Sequence, residues 1–272
     1  TFEATIQASE LDEPLSPTRY TVRKPSRRGS ADVPAVEHDD GLFFVQRSGQ
    51  RVYEMSAAGD ATSRLSTTDM TRLIPNAASV GIIAAAVQQQ PDTRLYCVLS
   101  DGTCLVLTYD KDDQVAAWTT ITTTNGLIED VCVLPAEEQD EVYFIVNRNS
   151  GQRFLEKLAP EAEQLAVGTC ALLDAHKVLT GSISSITGGT QLAGWTVSTW
   201  RDGVKGADVT LNGSGVAALG ATYSRVVYGL SVQADWKSVK LAYAAQLGTA
   251  LGNTKVVHGA GLILANSCLD GI

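Results

Sequence analysis

The stretch from Leu95 to Arg148, LYCVLSDGTCLVLTYDKDDQVAAWTTITTTNGLIEDVCVLPAEEQDEVYFIVNR, constrains this chain more than any other. It is a run of short apolar segments separated by turn residues. Val98 and Leu99 lead into Ser100-Asp101-Gly102-Thr103, after which Leu105, Leu107 and Tyr109 resume the pattern. Asp-Gly between two such segments is a strong hairpin signal, because the tight turn that matches strand twist needs positive φ at both central residues. An acidic turn at Asp110 to Asp113 leads into a strand expected over Val115 to Thr122. Two more are expected over Leu127 to Leu134 and Glu141 to Asn147. The pattern predicts an antiparallel meander with the rhythm of propeller blades.

The same reading extends both ways. Leu42 to Gln46 and Arg51 to Met55 form a hairpin around Arg47-Ser48-Gly49-Gln50. Leu65 to Ile74 reads as a short helix, with Ser66, Thr67 and Thr68 available to cap it and Pro75 to stop it. Val80 to Gln88 is a strand ended by Pro91-Asp92, and Gln152 to Leu158 closes a second sheet. Glu161 to Ala171 reads as a loop or strand entry. From His176 the texture turns to Gly, Ser and Thr, with short strands expected at Trp195 to Trp200, Val204 to Leu211, Gly215 to Leu219 and Arg225 to Leu230. Turns at Asp202-Gly203 and Asn212-Gly213 separate them. Trp236 to Leu241 is a candidate exit strand, Gln246 to Asn253 a Gly-rich linker and Lys255 to Leu264 a last apolar strand.

The expectation is therefore an all-β protein: propeller-like antiparallel meander sheets with an inserted small β-sandwich or barrel. Residues 1–36 form an extended lead-in arm, 37–175 the propeller-like domain, 176–245 the inserted domain and 246–272 a strand returning to the first. The arm holds four prolines and a basic patch, Arg19, Arg23, Lys24, Arg27 and Arg28. Prolines at that density favour extended segments over regular elements. Such a patch is a solvated arm or pairs with an acidic neighbouring subunit.

At 44% hydrophobic and 19% charged residues the chain can bury a sizeable core and is not of the disordered class. Its formal charge of −9 argues against wrapping nucleic acid, which needs a basic face, but not against a conduit through which DNA passes without sticking. The longest apolar run, Val80 to Val87, is strand-sized and far short of the roughly 20 residues of a membrane helix. Beginning at Thr1, the chain reads as a processed or trimmed product, or as part of something longer. Of five cysteines, Cys97, Cys104, Cys132, Cys170 and Cys268, none has CxxC spacing. Reduced, buried thiols are expected. A Cys97–Cys104 cross-strand contact over the Asp101-Gly102 turn is the one pairing the spacing suggests, without implying a disulfide.

Chemistry-bearing motifs are weak. Asp110-Lys111-Asp112-Asp113 has the acidic density of a calcium loop, yet Val115 stands where an EF-hand needs Gly and Ile121 where it needs Glu. Ser100-Asp101-Gly102-Thr103 is a partial copy of the Asp-box turn of sialidase propellers, without an arginine cluster the sequence can place. Nucleophilic catalysis would draw on His38, His176 or His258, and none lies in a recognisable motif. There is no Walker loop and no dinucleotide fingerprint. No catalytic, metal or cofactor-binding residue is assigned. Trp118 reads as core. Trp195 and Trp200 flank a short strand at odd spacing, so they face opposite sides and one of them is expected at the surface or at an interface.

Several ordered segments carry a resemblance: LFFVQRSGQRVYEM, then VQQQPDTRLYCVLSDGTCLVLTYDKDDQVAAW, then EDVCVLPAEEQDEVYFIVNR. Together, over Pro14 to Leu158, they resemble the tail nozzle proteins of short-tailed bacteriophages, also called tail tubular protein B or tail hub proteins. Relatives are longer, which leaves the blade count open. The resemblance implies a non-enzymatic virion component, assembled in the bacterial host cytoplasm and residing in the tail. It would form a homo-oligomeric ring, six-fold, below the portal and adaptor, with DNA leaving through the central channel and fibres or a plug attached. Arg19, Arg23, Lys24, Arg27, Arg28, Trp195 and Trp200 are then the subunit-interface candidates, the basic arm facing an acidic body. The alternatives are a glycan-binding propeller module using exposed Trp, and a tail-associated cell-wall hydrolase.

Overall fold

The computed structural model describes residues 4–8, 14, 16–24, 26–39, 41–57, 65–148, 151–160, 172–237, 259 and 261. The chain is all-β, and its described strands are antiparallel throughout. It divides into two units, Thr1–Pro160 and Glu161–Ile272. This break precedes the expected domain boundary at 175/176, which falls inside a strand of the second unit. The segment expected to return after 246 lies outside the described residues except for Gly259 and Gly261.

The first unit opens with a two-stranded ribbon, β1 (Thr5–Ala8) with β2 (Tyr20–Arg23). Three meander sheets follow in chain order. Sheet I is β3 (Val36–His38), β4 (Gly41–Val45), β5 (Val52–Ala57) and β6 (Leu65–Asp69). Sheet II is β7 (Ile82–Gln88), β8 (Arg94–Leu99), β9 (Cys104–Asp110) and β10 (Val115–Ile121). Sheet III is β11 (Gly126–Leu134), β12 (Glu141–Arg148) and β13 (Gln152–Lys157).

Sheet II is the middle layer, and its sequence shows why. In β8 every residue from Leu95 to Leu99 is buried. Leu95, Cys97 and Leu99 join Leu105 and Leu107 against Phe43, Val45 and Val52 of sheet I. Tyr96 and Val98 join Cys104 and Val106 against Ile128, Val142, Phe144 and Val146 of sheet III. A strand covered on both faces has no polar side to alternate with, so it reads as a continuous apolar run. Cys97 and Cys104 therefore serve different cores. In the register Val98 pairs with Cys104 and Cys97 with Leu105, which sends the two thiols to opposite faces, so the cross-strand contact is between the Cys104 thiol and the Cys97 backbone rather than between thiols.

Two local expectations are corrected. Leu65–Asp69 is a strand, not the start of a helix, because its residues pair with Tyr53–Ala57 of β5 and alternate in burial. Its end is set by Asp69, whose Oδ1 accepts from the backbone N and hydroxyl of Thr71. The chain then turns through residues 70–80. The two Asp-Gly turns also differ. At Asp202-Gly203 both residues have positive φ (46° and 85°), as the tight two-residue turn demands. At Asp101-Gly102 only Gly102 is left-handed (φ 83°), and the Asp101 carboxylate instead accepts from the N–H and hydroxyl of Thr103.

The second unit is built on two long strands, β14 (Leu173–Ile186) and β18 (Ala217–Ser231). Between them come a single 3-10 turn at Thr190–Leu192, β15 (Thr196–Arg201), β16 (Val204–Lys205) and β17 (Val209–Thr210). The sheet order is β14-β18-β15-β16, with β17 also paired to β15. The expected strands at 215–219 and 225–230 are one strand, which continues through Gly220 (φ 74°). Ile186, Leu192, Val197, Leu211, Val226, Tyr228 and Leu230 form its core. Trp236, expected to begin an exit strand, is outside any strand and 82% exposed.

Candidate functional site

The arm meets sheet I through its backbone. Ala31 N donates to Val45 O at 2.9 Å and Arg47 N to Gly29 O at 2.9 Å, so residues 29–31 lie alongside the end of β4. Gly29 is left-handed (φ 73°), which turns the chain at that point. Just before it, Arg28 lies over the Tyr53 ring at 4.2 Å and its Nη1 donates to the Tyr53 hydroxyl at 2.8 Å. Tyr53 belongs to the outward face of sheet I, with Phe44 and Met55. Its hydroxyl in turn lies 3.4 Å from Asp69 Oδ2, which also receives Arg51 Nη1 at 3.2 Å. Cation–π contact and the hydroxyl bond together fix the Arg28 guanidinium.

The result is an open cleft of about 540 Å³ lined by Ser26, Arg27, Arg28, Gln46, Arg47 and Thr67. Three guanidiniums, two hydroxyls and one carboxamide face it, and no carboxylate lines it. Arg27 and Arg47 are exposed and make no ion pair among the described residues. Planar guanidiniums in that number suit a carboxylate or phosphate, which they bind through paired N–H groups.

Of the interface candidates, Arg27 and Arg28 come together here with Arg47. Arg19 follows a turn, bridged to Ser16, while Arg23 ends β2 and Lys24 follows it, all three exposed. Trp195 and Trp200 belong to the second unit. Trp195 packs against its core. Trp200, paired with Val227 on the other face of β15, is half-buried, and its Nε1 is enclosed without a hydrogen-bond partner. Arg47, Gln46 and Thr67 escaped sequence reading. Arg47 looked like one residue of a hairpin turn, and nothing in the local pattern says that the arm returns beside it.

A second polar group is buried between sheets I and II. Glu54 is 5% exposed and accepts from the Tyr109 hydroxyl at 2.9 Å. His38 Nε2 lies 3.6 Å from the same carboxylate oxygen, and its ring stacks on Phe43 at 4.3 Å. Its surroundings are those of a core joint rather than an open acid–base site. Sheets II and III are joined similarly: Gln89 N and Gln90 N donate to Asp140 Oδ2 at 2.8 and 3.0 Å. Trp118, as read from the sequence, packs against the core, and its Nε1 donates to Met70 O. Among the described residues no group of three or more His, Cys, Asp or Glu could hold a metal ion. Compared with known protein families and with curated proteins, the chain matches none.

Proposed function

We propose that this chain is a structural component of a bacteriophage tail, part of the nozzle or hub ring through which DNA is ejected. The observation that carries the reading is the architecture of the first unit. Its three successive meander sheets are built from the same ordered segments, LFFVQRSGQRVYEM to DEVYFIVNR, that resemble the nozzle family. The sheets follow one another as propeller blades do. The net charge of −9 suits a conduit whose wall does not hold DNA.

A glycan-binding module would need a flat aromatic platform. Of the four tryptophans, Trp118 and Trp195 pack against cores and Trp200 is half-buried, which leaves Trp236, 82% exposed, as a single open ring rather than a platform. The test is to image the purified chain and intact virions by negative stain with an antibody to the chain. Labelled tails and closed rings with a central hole are expected. Virions without the chain would overturn the reading.

A further inference from the structure

The hydrogen bonds that join the three sheets also fix which turns share an end. Ile82 N donates to Gly49 O, Ser100 N to Gly81 O and Ile128 N to Gly102 O. The β4–β5 turn, the start of β7, the β8–β9 turn and the start of β11 therefore lie at one end of the body. Asp140 N donates to Gln90 O, and Gln89 and Gln90 donate back to Asp140, so the β7–β8 and β11–β12 turns lie at the other. The β9–β10 turn shares this second end, because Tyr109 N donates to Thr93 O.

Charge is uneven along this axis. The first end carries Arg47 and, across the cleft, Arg27 and Arg28, with one acid in the β8–β9 turn, Asp101, whose Oδ1 is held by Thr103. The second carries Asp110, Asp112 and Asp113 in one turn and Glu137 and Glu138 in another, all exposed. These acids are not equally available. Asp110 accepts from the backbone N of Asp113 and has Lys111 beside it in sequence, and Asp140 is held by Gln89 and Gln90. Glu137 and Glu138 have no hydrogen-bond or ion-pair partner among the described residues. They are adjacent carboxylates on an exposed turn, matched in sign to a cleft of three guanidiniums.

A copy cannot fill its own cleft with its own turn. The seven residues of β9 span roughly 20 Å between the two ends. We propose that the arginine cleft of one copy receives the Glu137-Glu138 turn of a second copy, a head-to-tail contact between opposite ends of the meander body. Such a contact joins two different patches, so it is heterologous and propagates into a ring or an open chain. It gives a specific form to the arm-to-body contact expected of a ring, and it stands apart from the tail assignment, since a self-associating chain with any other function would keep it.

Sedimentation velocity of the whole chain across a concentration series, at low and at 0.5 M salt, reads the contact. Salt-sensitive self-association is expected, weakened by about tenfold or more in Arg27→Glu/Arg47→Glu and equally in Glu137→Arg/Glu138→Arg. Arg27→Ala/Arg47→Ala should weaken it in the same direction without adding charge. The two reversed proteins, mixed, should associate with each other, and all four reversals in one chain should restore self-association. Circular dichroism melts control for folding, because all four positions are exposed. A chain that stays monomeric at every concentration overturns the proposal, as does association indifferent to the reversals or not rescued by combining them. Binding of a duplex oligonucleotide that is lost in Arg27→Glu/Arg47→Glu while self-association persists would also overturn it, and would make the cleft a phosphate site.

Discussion

The Tyr109 hydroxyl donates to Glu54 Oε1 across the layer between sheets I and II, at 2.9 Å. Glu54 sits in β5 and Tyr109 near the end of β9, so this side-chain bond spans two separately paired sheets. Tyr109→Phe should remove that donor while leaving the carboxylate buried, at a cost of about 1–3 kcal/mol. Glu54→Gln keeps an acceptor for Tyr109 and should cost less. Urea denaturation of both variants decides it; equal stability of Tyr109→Phe and the parent would show that the bond is not made.

Gly102 tests how closely the β8–β9 turn approaches sheet III. A Cβ there would lie 2.6 Å from Leu127 Cδ2 and 2.9 Å from Leu127 Cα, at φ 83°. Gly102→Ala therefore adds a backbone clash to the strain of a left-handed alanine, and should destabilise by roughly 2–4 kcal/mol. Gly181→Ala meets nothing within 4 Å at φ 118° and should show the strain alone, a smaller loss. Thermal melts of the pair separate the two contributions.

Strand order and most strand positions in the first unit were legible because hairpin turns and apolar runs are local signals. What was not legible depended on pairing. Leu65 to Asp69 carries helix-compatible residues, and only the neighbouring β5 makes it a strand. β14 was missed because its residues are mostly exposed or half-buried and rich in Ser and Thr, leaving no apolar alternation to see. Arg27 and Arg28 were recognisable as a basic patch, but their meeting with Arg47 follows from two backbone bonds of the arm, which no side chain announces.

Arg148 is a buried charge satisfied on all sides. Its Nε and Nη2 donate to the two Glu156 oxygens at 2.6 and 2.7 Å, and Nη1 donates to Thr124 O at 2.9 Å. Arg148→Lys keeps the charge but loses the fork, and should be destabilising. Arg148→Ala leaves the Glu156 carboxylate without its guanidinium and should cost about 3–5 kcal/mol, the range for breaking one side of a buried pair. Chemical denaturation with both variants checks the order; a Lys variant as stable as the parent would reduce Arg148 to a simple counter-charge.

The exposed face of sheet III should respond to acid in a predictable direction. The Arg153 guanidinium, hydrogen-bonded to Glu129, and the Lys157 ammonium, hydrogen-bonded to Glu141, each hold their carboxyl below the usual glutamate range. Their contribution is present above the ordinary glutamate pKa and is lost as pH falls through the depressed one. Carbon-detected NMR titration should give midpoints below the usual value for both residues. Arg153→Gln and Lys157→Gln should each raise the midpoint of its own partner alone, leaving the smaller lowering by the Asn147 amide on Glu129 and the Tyr143 hydroxyl on Glu141, and 0.5 M salt should shrink both shifts.

The cysteines predict behaviour at the alkaline end. Burial pushes the Cys104 thiol up to about 12 and raises Cys97 further, whereas Cys132 is exposed. Alkylation of the native chain at pH 8, mapped by peptide mass, should modify Cys132 within minutes and reach Cys97 and Cys104 only on unfolding. The same burial sets a sign for stability. Below about pH 9 the two thiols are neutral in both states and their contribution is complete. Above it the unfolded chain releases protons that the folded chain retains, so stability falls as pH rises from about 9 through about 12, by about 1.4 kcal/mol per pH unit per thiol. Cys104→Ala should lower stability at neutral pH by removing a core sulfur, yet flatten that alkaline slope. A slope unchanged by the substitution would mean that Cys104 reaches solvent without global unfolding.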